Sequence, residues 1–193
     1  MTEFKGKKIG YAICGSFCTF AQSFKQIEKL LSLEAEVTPI LSFNASTLDT
    51  RFGTAKEHIT YLEALCNKKI IASIVDAEPI GPKKMFDILI VAPCTGNTLA
   101  KLATGVTDTP VTMAVKSHLR NGNPVVLALA TNDALAGAAK NLGLLESTRN
   151  YYFVPMYQDD YENKPTSMVA DFEQIPETLL LALKGKQLRP LIH

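Results

Sequence analysis

Asp87-Ile88-Leu89-Ile90-Val91-Ala92 runs straight into Pro93-Cys94-Thr95-Gly96-Asn97-Thr98. After its opening aspartate the first half is apolar at every position. A strand of that kind is covered on both faces, the condition of a parallel sheet sandwiched between helices. The second half packs hydroxyls, an amide and a glycine into one turn ahead of a helix. A plain helix cap needs only one or two such side chains. The turn therefore reads as a seat for a ligand at the carboxyl end of the strand.

Working outward, Pro124–Ala130 (PVVLALA) is a second doubly buried strand. Thr98–Thr104 and Pro110–Arg120 between them are helical, with Thr109 as N-cap and Pro110 at the first helical position. Upstream, Lys8–Cys14 (KIGYAIC) is an apolar run ended by Gly15. Phe17, Phe20, Phe24, Ile27, Leu30 and Leu31 then recur at helical spacing. Glu36–Phe43 reads as a strand whose Pro39 implies a bend or a place near an edge. Thr54–Cys66 is an amphipathic helix, and Ile70–Val75 a short β-branched run of strand character. Downstream come a helix at Ala134–Asn141 with Gly143 just past its end, a strand at Tyr151–Val154, and a last helix at Pro176–Lys184. Gln158–Thr166 (QDDYENKPT) is the most polar stretch, expected as an exposed loop, mobile or facing a partner. Strands alternating with helices predict βαβ units with right-handed crossovers. The fold expected is α/β: a three-layer, Rossmann-like (flavodoxin-like), doubly wound parallel sheet. Residues 1–193 form a single domain, with 156–193 as a C-terminal loop and helix.

Composition narrows the function classes. With 47% hydrophobic and 20% charged residues among 193, the chain has the balance of a globular protein that buries a core without staples. A net charge of +1 and no basic block give no field that would recruit nucleic acid or an anionic membrane. The polar N-terminus, Met1–Lys8, lacks the pattern of a signal peptide, and no apolar run approaches a membrane span. A soluble, cytoplasmic protein is expected. Cys14 and Cys18 are spaced C-x3-C, but no further cysteine pair or histidine cluster completes a zinc site, so no metal is expected. With Cys66 and Cys94 they read as reduced cysteines of a cytosolic chain.

In open parallel sheets ligands gather where strand order reverses, at the strands' carboxyl ends. Four loops fall there. Cys14-Gly15-Ser16 reads either as a serine-capped turn or as an anion seat, where glycine admits a phosphate and the helix start presents unpaired N–H groups. It carries neither G-x-G-x-x-G nor G-K-[ST]. Pro93–Thr98 is the second loop. In the third, Ala130-Thr131-Asn132-Asp133, Asn132 either bonds a ligand or caps the next helix. In the fourth, Ser42 and Asn44 either reach a phosphate from the side or simply shape a loop. His58 and His118 fall within helices, as surface or packed side chains, and His193 ends the chain.

The combination of Gly15-Ser16 after the first strand, P-C-T-G-N-T after a later one, and a strand ending A-T-N-D resembles the flavoprotein family that includes the decarboxylases of phosphopantothenoylcysteine and of lantibiotic precursor peptides. The family's P-x-S-A-N-T loop stands here as Pro93–Thr98, and its P-A-M-N loop as Leu129–Asn132. The resemblance implies that Gly15, Ser16 and Ser42 bind the phosphate of FMN. It implies that Pro93, Thr95, Gly96, Asn97 and Thr98 surround the ribityl chain or flavin ring, and that Asn132 is the catalytic residue facing the substrate. Pro79 stands where the decarboxylases place a catalytic histidine, and their cysteine-bearing substrate clamp is missing, so cysteine decarboxylation ranks last.

Val75–Val126, with YFVP and QDD later, is similar to one branch of this family, the B subunits of synthases that make dipicolinic acid. That branch implies oxidation of a dihydrodipicolinate-type intermediate in the mother cell during sporulation. It implies a small dicarboxylate substrate, a partner (the synthase's A subunit) carrying NAD(P), and a homo-oligomer. Lys116 and Arg120, i and i+4 on one helix, stand as cations for the dicarboxylate or as solvated surface residues. The alternative function is a non-catalytic scaffold or regulatory subunit that keeps the flavoprotein fold.

Overall fold

The computed structural model describes residues 3–193; Met1 and Thr2 of the polar N-terminal segment lie outside the described residues. Five strands lie parallel: β1 (Lys8–Ile13), β2 (Glu36–Leu41), β3 (Ile88–Cys94), β4 (Val125–Thr131) and β5 (Tyr151–Phe153). Their order is β2-β1-β3-β4-β5, in register at Tyr11↔Pro39, Ile9↔Ile88, Leu89↔Val125 and Val125↔Tyr151. Order reverses between β1 and β3, where a flavodoxin-like sheet opens its ligand crevice. A hairpin of β6 (Met156–Tyr157) and β7 (Met168–Ala170) completes the seven strands. β7 pairs antiparallel with Ala130 and Thr131 of β4, beyond the stretch of β4 that β5 occupies.

Each side chain's face follows the strand period. Ile9, Tyr11 and Ile13 of β1 and Ile88, Ile90 and Ala92 of β3 enter one core. α1 (Phe20–Ser32), α3 (Ala55–Cys66) and α8 (Ile175–Leu183) cover it with Phe20, Ile27, Leu62 and Leu179. Leu89 and Val91 face the second core, under α5 (Gly96–Thr104), α6 (Pro110–Leu119) and α7 (Ala139–Glu146). Cys94 should share a face with Ala92, yet it packs with Leu89 and Val91, because the register shifts between Val91 and Cys94. Within the first core, the Tyr11 hydroxyl reaches the carbonyl of Ser23 at 3.2 Å, and Ser23 Oγ donates to the carbonyl of Ala92 at 2.7 Å. These bonds fix α1 across β1 and β3.

Pro39 sits in the outermost parallel strand, where the missing N–H costs no ladder bond on the open side; its carbonyl accepts Ile71 N at 3.0 Å. The β-branched run Ile70–Val75 does not become a strand. Only Ile71 bridges to Ile40, and Ser73 then caps α4 (Ile74–Ala77) by accepting Asp76 N at 3.0 Å. Cap chemistry overrides β propensity there. The helix expected at Ala134–Asn141 is displaced: residues 132–138 are turns, and α7 includes Gly143. Ala138, Leu142 and Leu145, spaced for a helix, select the later register by packing on the second core.

His118 of α6 is buried, with Nε2 3.1 Å from the carbonyl of Pro124 and Nδ1 without a hydrogen-bond partner among the described residues. Burial pushes its pKa down to about 4, against the opposing pull of the Pro124 carbonyl and Asp87. The unfolded chain binds this proton near pH 6.5 and the folded chain refuses it, so the stability is complete above about pH 6.5 and is lost as pH falls towards 4. Urea unfolding at pH 7 and pH 4.5 should show wild type losing roughly 2–3 kcal/mol more than His118→Gln over that interval. Equal losses would place the proton on His118 in the folded state.

Candidate functional site

The carboxyl ends of β1, β2 and β3 are tied together before any ligand is considered. Cys14 N donates to the carbonyl of Pro93 at 3.1 Å, and Ser42 N to that of Ile13 at 3.0 Å. Thr95 caps α5, its Oγ1 accepting Thr98 N at 3.3 Å. Thr98 Oγ1 lies 3.3 Å from Thr95 Oγ1 and 3.2 Å from Cys14 Sγ. Burial pushes the Cys14 thiol up to about 11, only partly offset by the bonds from Thr98 and Thr95. Burial, then the neighbouring Cys14, raises Cys94 well above its ordinary value. Both remain neutral thiols that pack and bond.

Between these ends opens a cavity of about 460 Å³, lined among others by Gly15, Ser16, Thr95, Gly96 and Asn132. That volume suits a small-molecule site. Ser16 does not use its side chain as a cap. The first bond of the turn that follows is Thr19 N to the carbonyl of Ser16 at 3.0 Å, so the N–H groups of Phe17 and Cys18 precede it. Asn132 does not cap α7, which begins at Ala139; its carbonyl instead accepts Thr166 Oγ1 at 2.7 Å. Gly96 stands so close to the third loop that a Cβ there would lie 2.7 Å from Thr131 Oγ1 and 2.9 Å from Asp133 Oδ1. Those two atoms are themselves bonded at 2.6 Å, so the two turns interlock only through a glycine.

The other sequence-derived site residues stand back from this wall. Pro93 is buried in β3, its carbonyl taken by Cys14 N. Thr98 is buried behind the turn it braces. Asn97 lies exposed in the first turn of α5. Ser42 caps a short helix, α2 (Phe43–Thr47), accepting Ala45 N at 3.3 Å. Lys116 and Arg120 do not approach this cavity. α6 runs against the strands, so its last turn lies at their amino ends, beside Pro124, and lines a separate cleft of about 370 Å³.

Sequence reasoning missed two walls. Arg51 and Phe52 enter from a turn before α3, closed by Thr50 and Gly53 through bonds of 3.0 and 3.1 Å. Asp159, Lys164, Ser167 and Met168 enter from the β6–β7 hairpin. The polar stretch Gln158–Thr166 is held in place: Ser167 Oγ donates to Asp159 at 2.7 Å, Gln158 Nε2 to the carbonyl of Pro165 at 2.8 Å, and Leu135 N to that of Thr166 at 3.0 Å. The only local signal is the short apolar run Met168-Val169-Ala170 after the polar stretch.

A second, apolar cleft of about 320 Å³ adjoins the first and shares Phe17, Cys18 and Phe52 with it. Phe20, Ala21, Phe24, His58 and Tyr61 form its other walls with Glu57 at one side, and His58 stands edge-on to Phe20 at 5.2 Å and to Phe24 at 5.6 Å. A donor-rich cavity beside an aromatic cleft matches a ligand with an anionic tail and a flat ring. Around the Gly15–Ser16 turn, the hydroxyls of Ser16, Thr19 and Thr95 and the early-turn N–H groups fit the phosphate of a cofactor such as FMN, with Arg51 and Lys164 on separate walls.

Cys18 is the one exposed cysteine of the four and borders both clefts. Titration with a disulfide reagent at pH 8 should modify one thiol promptly and the other three only on unfolding, and saturating FMN should slow that first reaction. Prompt reaction of several thiols would contradict the buried placement of Cys14 and Cys94.

The comparisons with known proteins agree with this geometry. The Flavoprotein family model matches residues 1–178. The B subunit of dipicolinate synthase from Bacillus subtilis (strain 168) is 46% identical over 192 residues, covering 100% of this chain and 96% of that protein. The crystal structure of the dipicolinate synthase B subunit from Bacillus halodurans C superposes with a TM-score of 0.90 at 43% identity, over 98% of this chain and 97% of that one. The FMN-dependent cysteine decarboxylase SpaF has the same fold, with a TM-score of 0.66 at 20% identity, over 94% of this chain and 99% of that one. Among the described residues, no helix is long and apolar enough to cross a membrane. By sequence along nearly its whole length, and by the way its strand ends meet, the chain belongs to the Flavoprotein family.

Proposed function

We propose that the chain is the FMN-binding component of a two-component dipicolinate synthase, acting in the oxidation of a dihydrodipicolinate-type intermediate to dipicolinic acid. The convergence of Ser16, Thr95, Gly96 and Asn132 on one cavity carries this reading, and the full-length likeness to the B subunit of dipicolinate synthase supports it. Bound FMN would supply a hydride acceptor, and loss of a hydride and a proton turns the dihydropyridine ring into an aromatic pyridine. Gly15, Ser16 and the N–H groups after them hold the phosphate, while Thr95 and Gly96 border the ribityl chain. Pro93, Thr98 and Ser42 act one layer back by fixing the turns. Asn132 orients the substrate. The aromatic side chains of the adjoining cleft exclude water from the ring.

Residues 1–193 act as a single domain in this reading, with the synthase's A subunit as the NAD(P)-carrying partner and the mother cell's cytoplasm as its place of work. Phe43, Phe52 and Tyr61, all exposed, suit burial against further copies of the chain, with Asn97 at such a contact. FMN titration of the purified chain, followed by flavin fluorescence, is the direct test: saturable quenching is expected, and no signal would refute it. In the assembled synthase, Asn132→Ala should lower turnover on the order of tenfold or more while FMN stays bound.

The scaffold reading has an observation of its own. Pro79, at the position of the decarboxylases' histidine, sits in a turn packed on α6 and does not line the cavity. Full turnover by the A subunit alone would favour that reading.

A further inference from the structure

We propose that Arg51 and Lys164 are the paired cations that grip the two carboxylates of the substrate, and that Asp159 holds Lys164 in place until a substrate carboxylate displaces it. The inference rests on the dicarboxylate reading above and names the groups that would impose it.

Both cations line the 460 Å³ cavity, and they reach it from different elements: Arg51 from the turn ahead of α3, Lys164 from the loop of the β6–β7 hairpin. Arg51 makes no ion pair among the described residues; its guanidinium lies over the Phe52 ring, 4.9 Å from the centroid. That leaves its planar fork of donors open for a carboxylate, which it matches in a bidentate manner. Lys164 is fixed through its backbone, N donating to the carbonyl of Asp160 at 2.8 Å and its own carbonyl accepting Ser167 N at 3.0 Å. Its ammonium pairs with Asp159 at 3.4 Å, and Asp159 also accepts Ser167 Oγ at 2.7 Å. At 3.4 Å the Lys164–Asp159 pair is longer than a charge-assisted bond of roughly 2.7–2.9 Å. An exposed pair of this kind is weak and exchanges readily. Asp159 would keep its Ser167 bond after the exchange and is not left unpartnered.

The phosphate of FMN is served elsewhere, by the Gly15–Ser16 turn. Two cations remain on separate walls for a ring carrying two carboxylates, whereas a monocarboxylate would use only one. The pair therefore sets the preference for a diacid.

The test is calorimetric titration of the full-length chain, saturated with FMN and also free of it, with pyridine-2,6-dicarboxylate and pyridine-2-carboxylate as probes. Wild type should bind the diacid more tightly than the monoacid. Arg51→Gln and Lys164→Gln should each weaken diacid binding on the order of tenfold, the loss of one charge-assisted contact. The double variant should no longer distinguish the two probes, and Asp159→Asn should bind the diacid more tightly than wild type. Thermal melts should be unchanged, since these side chains are at the surface of the cavity mouth. FMN affinity, measured separately by fluorescence, should be unaltered in all four variants. Unchanged diacid affinity in both single variants, or no diacid binding by wild type in either form, would overturn the proposal. So would loss of FMN rather than diacid in Arg51→Gln, which would make Arg51 a phosphate ligand. Failure of the flavin reading shows independently, as absence of the FMN signal in wild type.

Discussion

Gly81→Ala should destabilise the chain by about 3 kcal/mol or more. Gly81 ends the turn Glu78–Ile80 that lies on α6, and its backbone is not strained. What it lacks is room: a Cβ would stand 2.1 Å from the backbone carbonyl oxygen of Ser117 and 2.8 Å from Ser117 Oγ. Backbone oxygen cannot swing aside as a side chain does, so α6 or the turn must move as a whole. Val111, Ala114 and Val115 commit α6 to the second core. The displacement would also break a bonded knot: Gly81 N donates to Ser117 Oγ at 2.8 Å, Ser117 Oγ to the carbonyl of Glu78 at 2.5 Å, and Asn121 Nδ2 to the carbonyl of Gly81 at 2.9 Å. Overpacking a core costs roughly 1–3 kcal/mol and each lost bond about 1 kcal/mol more. Urea denaturation checks the outcome; a change under about 1 kcal/mol would mean that the turn does not sit so tightly on α6.

Ser16→Asp should leave the fold intact and weaken FMN binding on the order of a hundredfold or more. Ser16 precedes the turn Phe17–Thr19, a position where aspartate is as acceptable as serine. Its hydroxyl makes no cap bond, and it lies 3.9 Å from Cys18 Sγ. A carboxylate there would face the phosphate directly. At about 4 Å two like charges repel by roughly 1 kcal/mol in water and about 4 kcal/mol in a partly screened site, and the lost hydroxyl bond adds to this. Ser16→Ala removes only the hydroxyl and should cost on the order of tenfold. Fluorescence titration of the three proteins, each with its melting curve, separates the effects. Equal FMN affinity in all three would remove Ser16 from the phosphate site.

Much of this architecture is readable in the sequence for physical reasons. β3 and β4 are buried on both faces, so their apolar runs are unbroken, and the loops after them lie at the carboxyl end of the sheet. Pro39 announced an edge strand because it cannot donate to a ladder. That the Gly15, Thr95 and Asn132 loops line one cavity was foreseeable, because all three follow strands of one parallel sheet. The β6–β7 hairpin was not found: strands of two and three residues carry no periodicity, and their pairing with β4 is a long-range choice. Arg51 and Lys164 were hidden in polar loops whose side chains look solvated until the fold closes a cavity around them. Lys116 and Arg120 drew attention by helical spacing, but spacing does not say which end of the sheet a helix reaches. Thr98, expected beside the cofactor, is buried with its hydroxyl 3.2 Å from the Sγ of Cys14, 84 residues away, a contact that no sequence spacing shows.

A crystal structure of the chain with FMN tests the central claim most directly. The phosphate is expected within hydrogen-bonding distance of the Gly15–Ser16 turn, with the flavin ring against the cleft of Phe17, Phe24 and Tyr61 and its reactive edge towards Asn132. Flavin bound elsewhere, for instance between α5 and α6, or no flavin under saturating conditions, would contradict it.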